Sequence, residues 1–259
     1  MITLTTDFGL ADPYVAEMKG VILKINHKAV IIDVTHQVAD FNVREAAFIL
    51  ASAAFYFPER TVHVAVVDPG VGTERRAIAI KTKQAFYVGP DNGILLLAAQ
   101  NQGIQRIHQL TNSKFMLPQV SDTFHGRDVF APAAAYLDKG VDPAQFGPEI
   151  KNPVTPNFVH ANFSCNVYEG EILHVDGFGN IITNITGKEL PTEKRKNVQV
   201  NLGSGELTFP YVKTYGEAKG KKPVCLVGSH GFLEIALNQS SAAKKFGVKV
   251  GDEVRVTFA

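Results

Sequence analysis

The chain opens with a short alternating run, Ile2–Thr6, that stops at Asp7-Phe8-Gly9, and Tyr14–Ile25 then carries apolar positions at helical spacing. Strand, acidic loop, helix is how a doubly wound α/β unit begins. Residues 29–34 (AVIIDV) read as the next strand, ending near Asp33, Thr35 and His36. An Ala-rich helix follows over 42–57, with Asn42 as its cap and Pro58 as its stop. Residues 64–67 are apolar and mostly β-branched and run straight into Asp68-Pro69-Gly70, the pattern of a buried strand ending in a tight loop. That loop contains Gly70 and Gly72 and closes on Arg75 and Arg76. Residues 76–81 and 84–88 form a predicted strand pair, and the Asp91-Asn92-Gly93 turn precedes another helix. Over 123–136 (TFHGRDVFAPAAAY) a polar turn enters a helix in which Pro132 must lie in the first turn or cause a kink.

From 141 to about 163 the texture changes to successive Asp-Pro, Gly-Pro, Asn-Pro and Thr-Pro steps with little periodicity. This predicts a linker, placed at 151–165, between an α/β domain over 1–150 and a second domain over 166–259. The second domain is all short strands with turn signals about every ten residues, so a small β-barrel or sandwich is expected. A ligand site is expected in the cleft between the two.

Composition narrows the function classes. Of 259 residues, 26 are basic and 25 acidic, so there is no electrostatic footprint for nucleic acid or a membrane surface. Cys165 and Cys225 match no zinc or redox spacing and read as free thiols in a reducing compartment. The start of the chain lacks the basic and apolar regions of a signal peptide, and no stretch reaches the roughly eighteen apolar residues of a membrane span. A cytoplasmic protein is expected.

Candidate chemistry gathers at strand ends, where open α/β sheets bind ligands. Asp7, Asp68 and His125 each occupy such a loop. Asp68 reads either as a functional carboxylate with a cation nearby or as an ordinary turn residue capping its own backbone. Asp7 suits a ribose diol, which a carboxylate grips with both oxygens. The Asp-Phe-Gly triplet is not a kinase magnesium site, since no glycine-rich phosphate loop or kinase catalytic loop accompanies it. His125, Gly126, Arg127 and Asp128 crowd a helix N-terminus, which favours anions and disfavours a protonated histidine. In the second domain Asp176, Phe178, Asn180 and Asn184 offer a cation partner, an aromatic face and amides for an amino acid and a purine. The same stretch also reads as a β-hairpin turn. Ser229, His230 and Glu234 mark one more strand end. The eight histidines are dispersed, Asp33 and His36 stand alone, and no nucleophile elbow occurs, which leaves a non-covalent reaction without metal or cofactor.

TTDFGLADPYV, DVTHQV, VVDPGVGTERR, GPDNGIL, TFHGRDVFAPAAA, VDGFGNIITNI and VGSHGFLEIA occur in an order and spacing that resembles the S-adenosyl-L-methionine (SAM) hydroxide adenosyltransferases, the SAM hydrolases related to fluorinase and chlorinase. The resemblance spans nearly the whole chain. It implies an N-terminal α/β domain, a C-terminal β-barrel, and a homotrimer with SAM between one subunit's first domain and a neighbour's second. It implies attack of water on C5′ of SAM, giving adenosine and L-methionine without metal, by an Asp-Arg-His triad that falls on Asp68, Arg75 and His125. The related halogenases have tyrosine at position 68 and serine at 126, where this chain has Asp68 and Gly126. By the same resemblance Asp7 grips the ribose and Asp12, Asp176 and Ser229 contact methionine, with His230 standing where fluorinase has arginine. Adenine contacts fall on Asn180, Phe178 and Tyr215, and Phe41 stands where fluorinase has tryptophan. Two other readings remain: a non-catalytic SAM or adenosine sensor, and adenosyl transfer to another nucleophile such as halide.

Overall fold

The computed structural model describes residues 1–191, 197–203, 205–218, 220 and 222–258. The chain divides into two compact units, Met1–Pro156 and Asn157–Ala259.

In the first unit β1 (Ile2–Thr6), α1 (Tyr14–Ile25), β2 (Ile31–Thr35), α2 (Val43–Ala54) and β3 (Val62–Val66) alternate. The hairpin β4 (Ala77–Thr82) and β5 (Phe86–Pro90), helix α3 (Leu96–Asn101) and strand β6 (Ile104–Gln109) follow, and α4 (Ala131–Asp138) comes last. The sheet order is β2-β1-β3-β5-β4-β6, with β2, β1, β3 and β5 parallel and β4 antiparallel to both its neighbours. Both faces are covered, so β1 and β3 are buried throughout rather than alternating. Ile2, Leu4, Val62, Val64 and Val88 face a core shared with Met18 and Ile22 of α1 and the alanines of α4. On the other side α2 and α3 pack together, and α2 reaches β1 and β3.

The helix boundaries follow local chemistry. Tyr14–Ile25 is helical as the spacing predicts, and the Asn42 side chain accepts a hydrogen bond from the Glu45 amide at the start of α2. Pro132 lies in the first turn of α4, the first of the two expected outcomes, and a π-helical turn, Gly126–Phe130, carries the chain into that helix. Strand β6 has no expectation in the sequence reading, because IQRIHQ is too polar to stand out.

Within 151–165, Asn157–Val159 forms a 3₁₀ turn, and β7 (Asn162–Ser164) pairs with β8 (Val167–Val175). The second unit continues with β9 (Ile181–Thr186), β10 (Asn197–Asn201), β11 (Glu206–Pro210), β12 (Pro223–Val227), β13 (Phe232–Leu237), the short α5 (Ala242–Phe246) and β14 (Glu253–Phe258). The antiparallel order is β11-β10-β14-β8-β9-β13-β12. The two end strands approach through a bridge between Tyr211 and Cys225, with the Val212 amide donating to the Cys225 carbonyl at 2.9 Å, so the sheet forms a nearly closed barrel. Ile172, Ile181, Leu233, Ile235, Val254 and Val256 fill it. Among the described residues no helix is long and apolar enough to cross a membrane.

Asn42→Ala removes the oxygen that satisfies the first turn of α2 and is expected to lower the unfolding free energy by about 1 kcal/mol in denaturant titration, with Asn42→Asp recovering most of it. An unchanged midpoint for Asn42→Ala would show that the cap contributes nothing.

Candidate active site

Strands β1 and β3 are parallel neighbours, while β2, the strand that follows β1 in sequence, lies on the other side. The strand order therefore reverses between β1 and β3, and the carboxyl ends of these two strands open a crevice of the kind in which α/β sheets hold ligands. Asp7 directly follows β1 and Asp68 comes two residues after β3. A pocket of about 500 Å³ lies there, with Asp7, Phe41, Asp68, Phe124, His125 and Gly126 among its lining residues.

Asp68, Arg75 and His125 form one hydrogen-bonded chain. Arg75 Nε donates to both Asp68 oxygens, at 2.9 and 3.0 Å, and Arg75 Nη2 donates to Asp68 Oδ2 as well. The pair is well shielded, with the Asp68 side chain 6% and the Arg75 side chain 11% exposed. Arg75 Nη2 also lies 2.8 Å from His125 Nδ1. A guanidinium has only donors, so Nδ1 must accept and the imidazole is the neutral tautomer with its proton on Nε2. Burial, and next the Arg75 charge, hold the His125 pKa below its ordinary value, against the opposing pull of Asp68, Asp128 and Asp122. Of the two readings of Asp68, the geometry matches the carboxylate with a cation nearby: its side chain faces Arg75.

Glycines make this loop possible. Gly72 has φ +75°, and a Cβ there would stand 2.3 Å from the Asp122 carbonyl oxygen, so only glycine lets the 68–75 loop lie against the turn that leads to His125. The Arg75 guanidinium carbon lies over the Phe130 ring of the π-helical turn, 5.3 Å from its centre, a cation–π contact.

Asp7 Oδ2 accepts from the Phe41 amide at 3.0 Å. Phe41 holds φ +62°, a left-handed conformation unusual for a bulky residue, and its ring is 71% exposed. Burial raises the Asp7 pKa more than this hydrogen bond lowers it, and the charges of Asp40 and Asp68 add to the rise. Asp12 lies on the exposed turn before α1 and does not line the pocket.

Several wall residues carry no sequence signal. Phe8, Tyr14 and Phe124 form an edge-to-face trio with centroids 5.2–5.9 Å apart. Arg127 lies over Phe124 and pairs with Glu17 at 2.8 Å and Asp128 at 2.7 Å, and the fully buried Asp128 also accepts from the Ser121 amide. Glu17 lies 110 positions from Arg127, which no local spacing reveals, whereas Arg127 and Asp128 are neighbours at the helix start. Asp33 and His36 belong to a separate link: His36 Nδ1 meets Thr6 Oγ1 at 2.8 Å, and Asp33 contacts His36 and Lys19.

In the second unit the hairpin reading of VDGFGNIITNI holds. Asp176 Oδ1 accepts from the Phe178 and Asn180 amides and Oδ2 from Asn180 Nδ2, all at 2.9 Å, closing the β8–β9 turn. One acceptor position remains on Oδ2. Phe178 is 83% exposed at the tip. Asn184, one of the amides that the ligand reading of this stretch offered, is buried, accepting from the Glu171 amide and donating to the Asn157 and Phe158 carbonyls. Its oxygen fills the space that a side chain at Gly170 would need. Ser229 and His230 lie exposed on the β12–β13 turn, and Tyr215 Oη donates to Glu234 Oε2 at 2.6 Å. Among the described residues, no group of three or more His, Cys, Asp or Glu is placed to hold a metal ion.

Comparison with known proteins agrees with this architecture. Residues 2–147 match the profile of the SAM hydroxide adenosyltransferase N-terminal domain, and residues 170–255 that of the C-terminal domain. The chain is 37% identical to the (R)-S-adenosyl-L-methionine hydrolase of Methanocaldococcus jannaschii, with 100% of this chain and 96% of that protein aligned. It is 40% identical to the protein of the same name from Salinispora tropica, over 99% of this chain and 97% of that one. The crystal structure of an uncharacterised conserved protein from Thermotoga maritima matches with a TM-score of 0.85 at 38% identity, covering 99% of this chain and 100% of that one. With both family domains present in order and relatives aligned end to end, the chain belongs to the SAM hydroxide adenosyltransferase family.

Proposed function

We propose that the protein hydrolyses SAM to adenosine and L-methionine by direct attack of water on C5′, without metal or cofactor. The observation that carries this reading is the Asp68–Arg75–His125 chain at the mouth of the β1–β3 crevice. The departing thioether is neutral, so the reaction needs no general acid. What it needs is a desolvated water aligned opposite sulfur and relieved of a proton.

Two Arg75 N–H groups reach Asp68: Nε–H is shared between Oδ1 and Oδ2, and Nη2 donates to Oδ2, which leaves Oδ1 the less engaged oxygen. Oδ1 takes the water proton. His125, locked with its proton on Nε2, donates to the same water and orients a lone pair toward C5′. The C5′–O bond forms as the C5′–S bond breaks, the electron pair of that bond goes to sulfur, and the proton ends on Asp68. Asp7 grips the ribose diol. Phe41, Phe178 and Tyr215 flank the nucleoside, Asn180 reads adenine with the amide that Asp176 orients, and Asp12, Asp176, Ser229 and His230 meet the methionine end. The relatives' names specify the (R) sulfonium, and this chain is expected to prefer that epimer.

The lining residues of the crevice pocket all come from the first unit. In the homotrimer that the family resemblance implies, a neighbouring subunit's second unit supplies the methionine and adenine contacts to this first-unit crevice. The two unpaired cysteines fit a cytoplasmic setting.

Three outcomes test the reading. Asp68→Asn is expected to lower kcat by at least about a hundredfold while SAM binding, followed by calorimetry, is largely kept, and EDTA should leave wild-type turnover unchanged. Wild-type rates in Asp68→Asn would remove that residue from the mechanism. Because the active imidazole is neutral and its pKa is depressed, protonation sets in only below the ordinary histidine value. The acid limb of the kcat profile is thus expected below about pH 6.5, and a limb above that would contradict the tautomer assignment. Finally, subunits carrying Asp68→Asn and subunits carrying Asp176→Ala, each inactive alone, are expected to regain up to about a quarter of wild-type activity when dissociated and reassembled together. No recovery from mixed trimers would place both halves of the site in one subunit.

A further inference from the structure

Glu234 is a buried acid that the proposed reaction does not use. On β13 the neighbouring Leu233 and Ile235 point into the barrel core, and strand alternation turns Glu234 the other way, with Ala236, under the segment that follows β11. It is only 3% exposed, and burial raises its pKa against the lowering effect of the Tyr215 hydrogen bond. A carboxyl in this position is a poor choice for stability alone, since an apolar residue of similar volume avoids the desolvation cost.

What it touches is specific. Tyr215 opens a 3₁₀ turn, Tyr215–Glu217, whose start is fixed by Thr214 and Glu217 in a capping box. The tyrosine is 42% exposed, and its hydroxyl end is tied at 2.6 Å to Glu234 Oε2. That distance is in the range of a charge-assisted hydrogen bond. The backbone turn holds one end of the side chain and the carboxylate holds the other, which removes the ring's rotational freedom. Gly228 makes the arrangement possible: a Cβ there would lie 1.7 Å from Glu234 Oε1. Asp176 acts electrostatically on both Tyr215 and Glu234, and His230 on Glu234, so the pair sits among the residues assigned to substrate contact.

We propose that Glu234 is a positioning residue for nucleoside recognition, clamping the Tyr215 ring in the orientation in which it meets adenine through the Tyr215 Oη to Glu234 Oε2 hydrogen bond. The inference rests on the reading that Tyr215 flanks the adenine of SAM. A clamp of this kind acts on binding more than on the chemical step, because the ring contacts substrate and transition state alike.

The test measures adenosine binding by calorimetry and SAM turnover by chromatography for wild type, Glu234→Ala, Glu234→Gln, Tyr215→Phe and the Glu234→Ala/Tyr215→Phe double variant. Glu234→Ala and Tyr215→Phe are each expected to weaken adenosine binding and raise KM by about tenfold, with kcat within about twofold. The double variant should be no worse than either single one, because both remove the same bond. Glu234→Gln, whose amide oxygen still accepts, should recover most of the loss. Tyr215→Phe keeps the ring at a half-exposed position, so it reads the clamp even where Glu234→Ala fails to fold. Additive losses, unchanged binding in Tyr215→Phe, or a fall confined to kcat would overturn the proposal. Wild-type protein that binds adenosine yet releases none from SAM would overturn the hydrolase reading while the variants still decide the clamp, and wild-type protein that does neither would overturn both.

Discussion

The guanidinium of Arg75 is the constraint on which the rest of the site depends. It donates to Asp68 on one side and to His125 on the other, from a loop that leaves the sheet at β3 and a turn that enters α4. A single donor-only group between two acceptors settles both partners at once. It spreads charge over the carboxylate, and it forbids a proton on the facing imidazole nitrogen. Lysine could not do the same, having neither the fork nor the reach to two acceptors in one plane. The surrounding fold packs around the guanidinium: Phe130 lies against it, Gly72 lets the loop close on residue 122, and the π-helical turn aims His125 into the crevice.

The two units do different physical work. The first is a sheet buried on both faces whose strand order reverses between β1 and β3, and that reversal creates the crevice. The second is a nearly closed barrel whose turns carry polar and aromatic groups on short, well-anchored hairpins. Asp176 spends most of its hydrogen-bonding capacity on its own turn, which makes the turn rigid and presents Asn180 and Phe178 in fixed positions. Rigid loops on a rigid barrel lose little entropy when a ligand arrives.

Much of this was legible in the sequence. Apolar runs stopped by Asp-Phe-Gly and Asp-Pro-Gly gave β1 and β3 and put Asp7 and Asp68 at strand ends, and Asn42 marked the start of α2. Periodicity cannot supply contacts between distant residues. Periodicity does not tell Arg75 from Arg76, and only the family resemblance picked Arg75 out; in the structure Arg76 turns instead to Asp91 and Asn152. The Arg127–Glu17 pair joins residues 110 positions apart and left no local trace. Asn184 misled because an amide in a dense polar stretch looks available, whereas inside a barrel it is consumed by backbone groups that would otherwise be unpaired. Pro132 pointed to a helix start or a kink, and a π-helical turn is the device that reconciles it with a continuous helical path.

The central claim is that water is the nucleophile at C5′. The direct measurement is turnover of SAM in ¹⁸O-labelled water followed by mass spectrometry of both products. The account predicts one ¹⁸O in the 5′-hydroxyl of adenosine and none in methionine. Unlabelled adenosine, or label carried by the sulfur-containing product, would place bond cleavage elsewhere and contradict it.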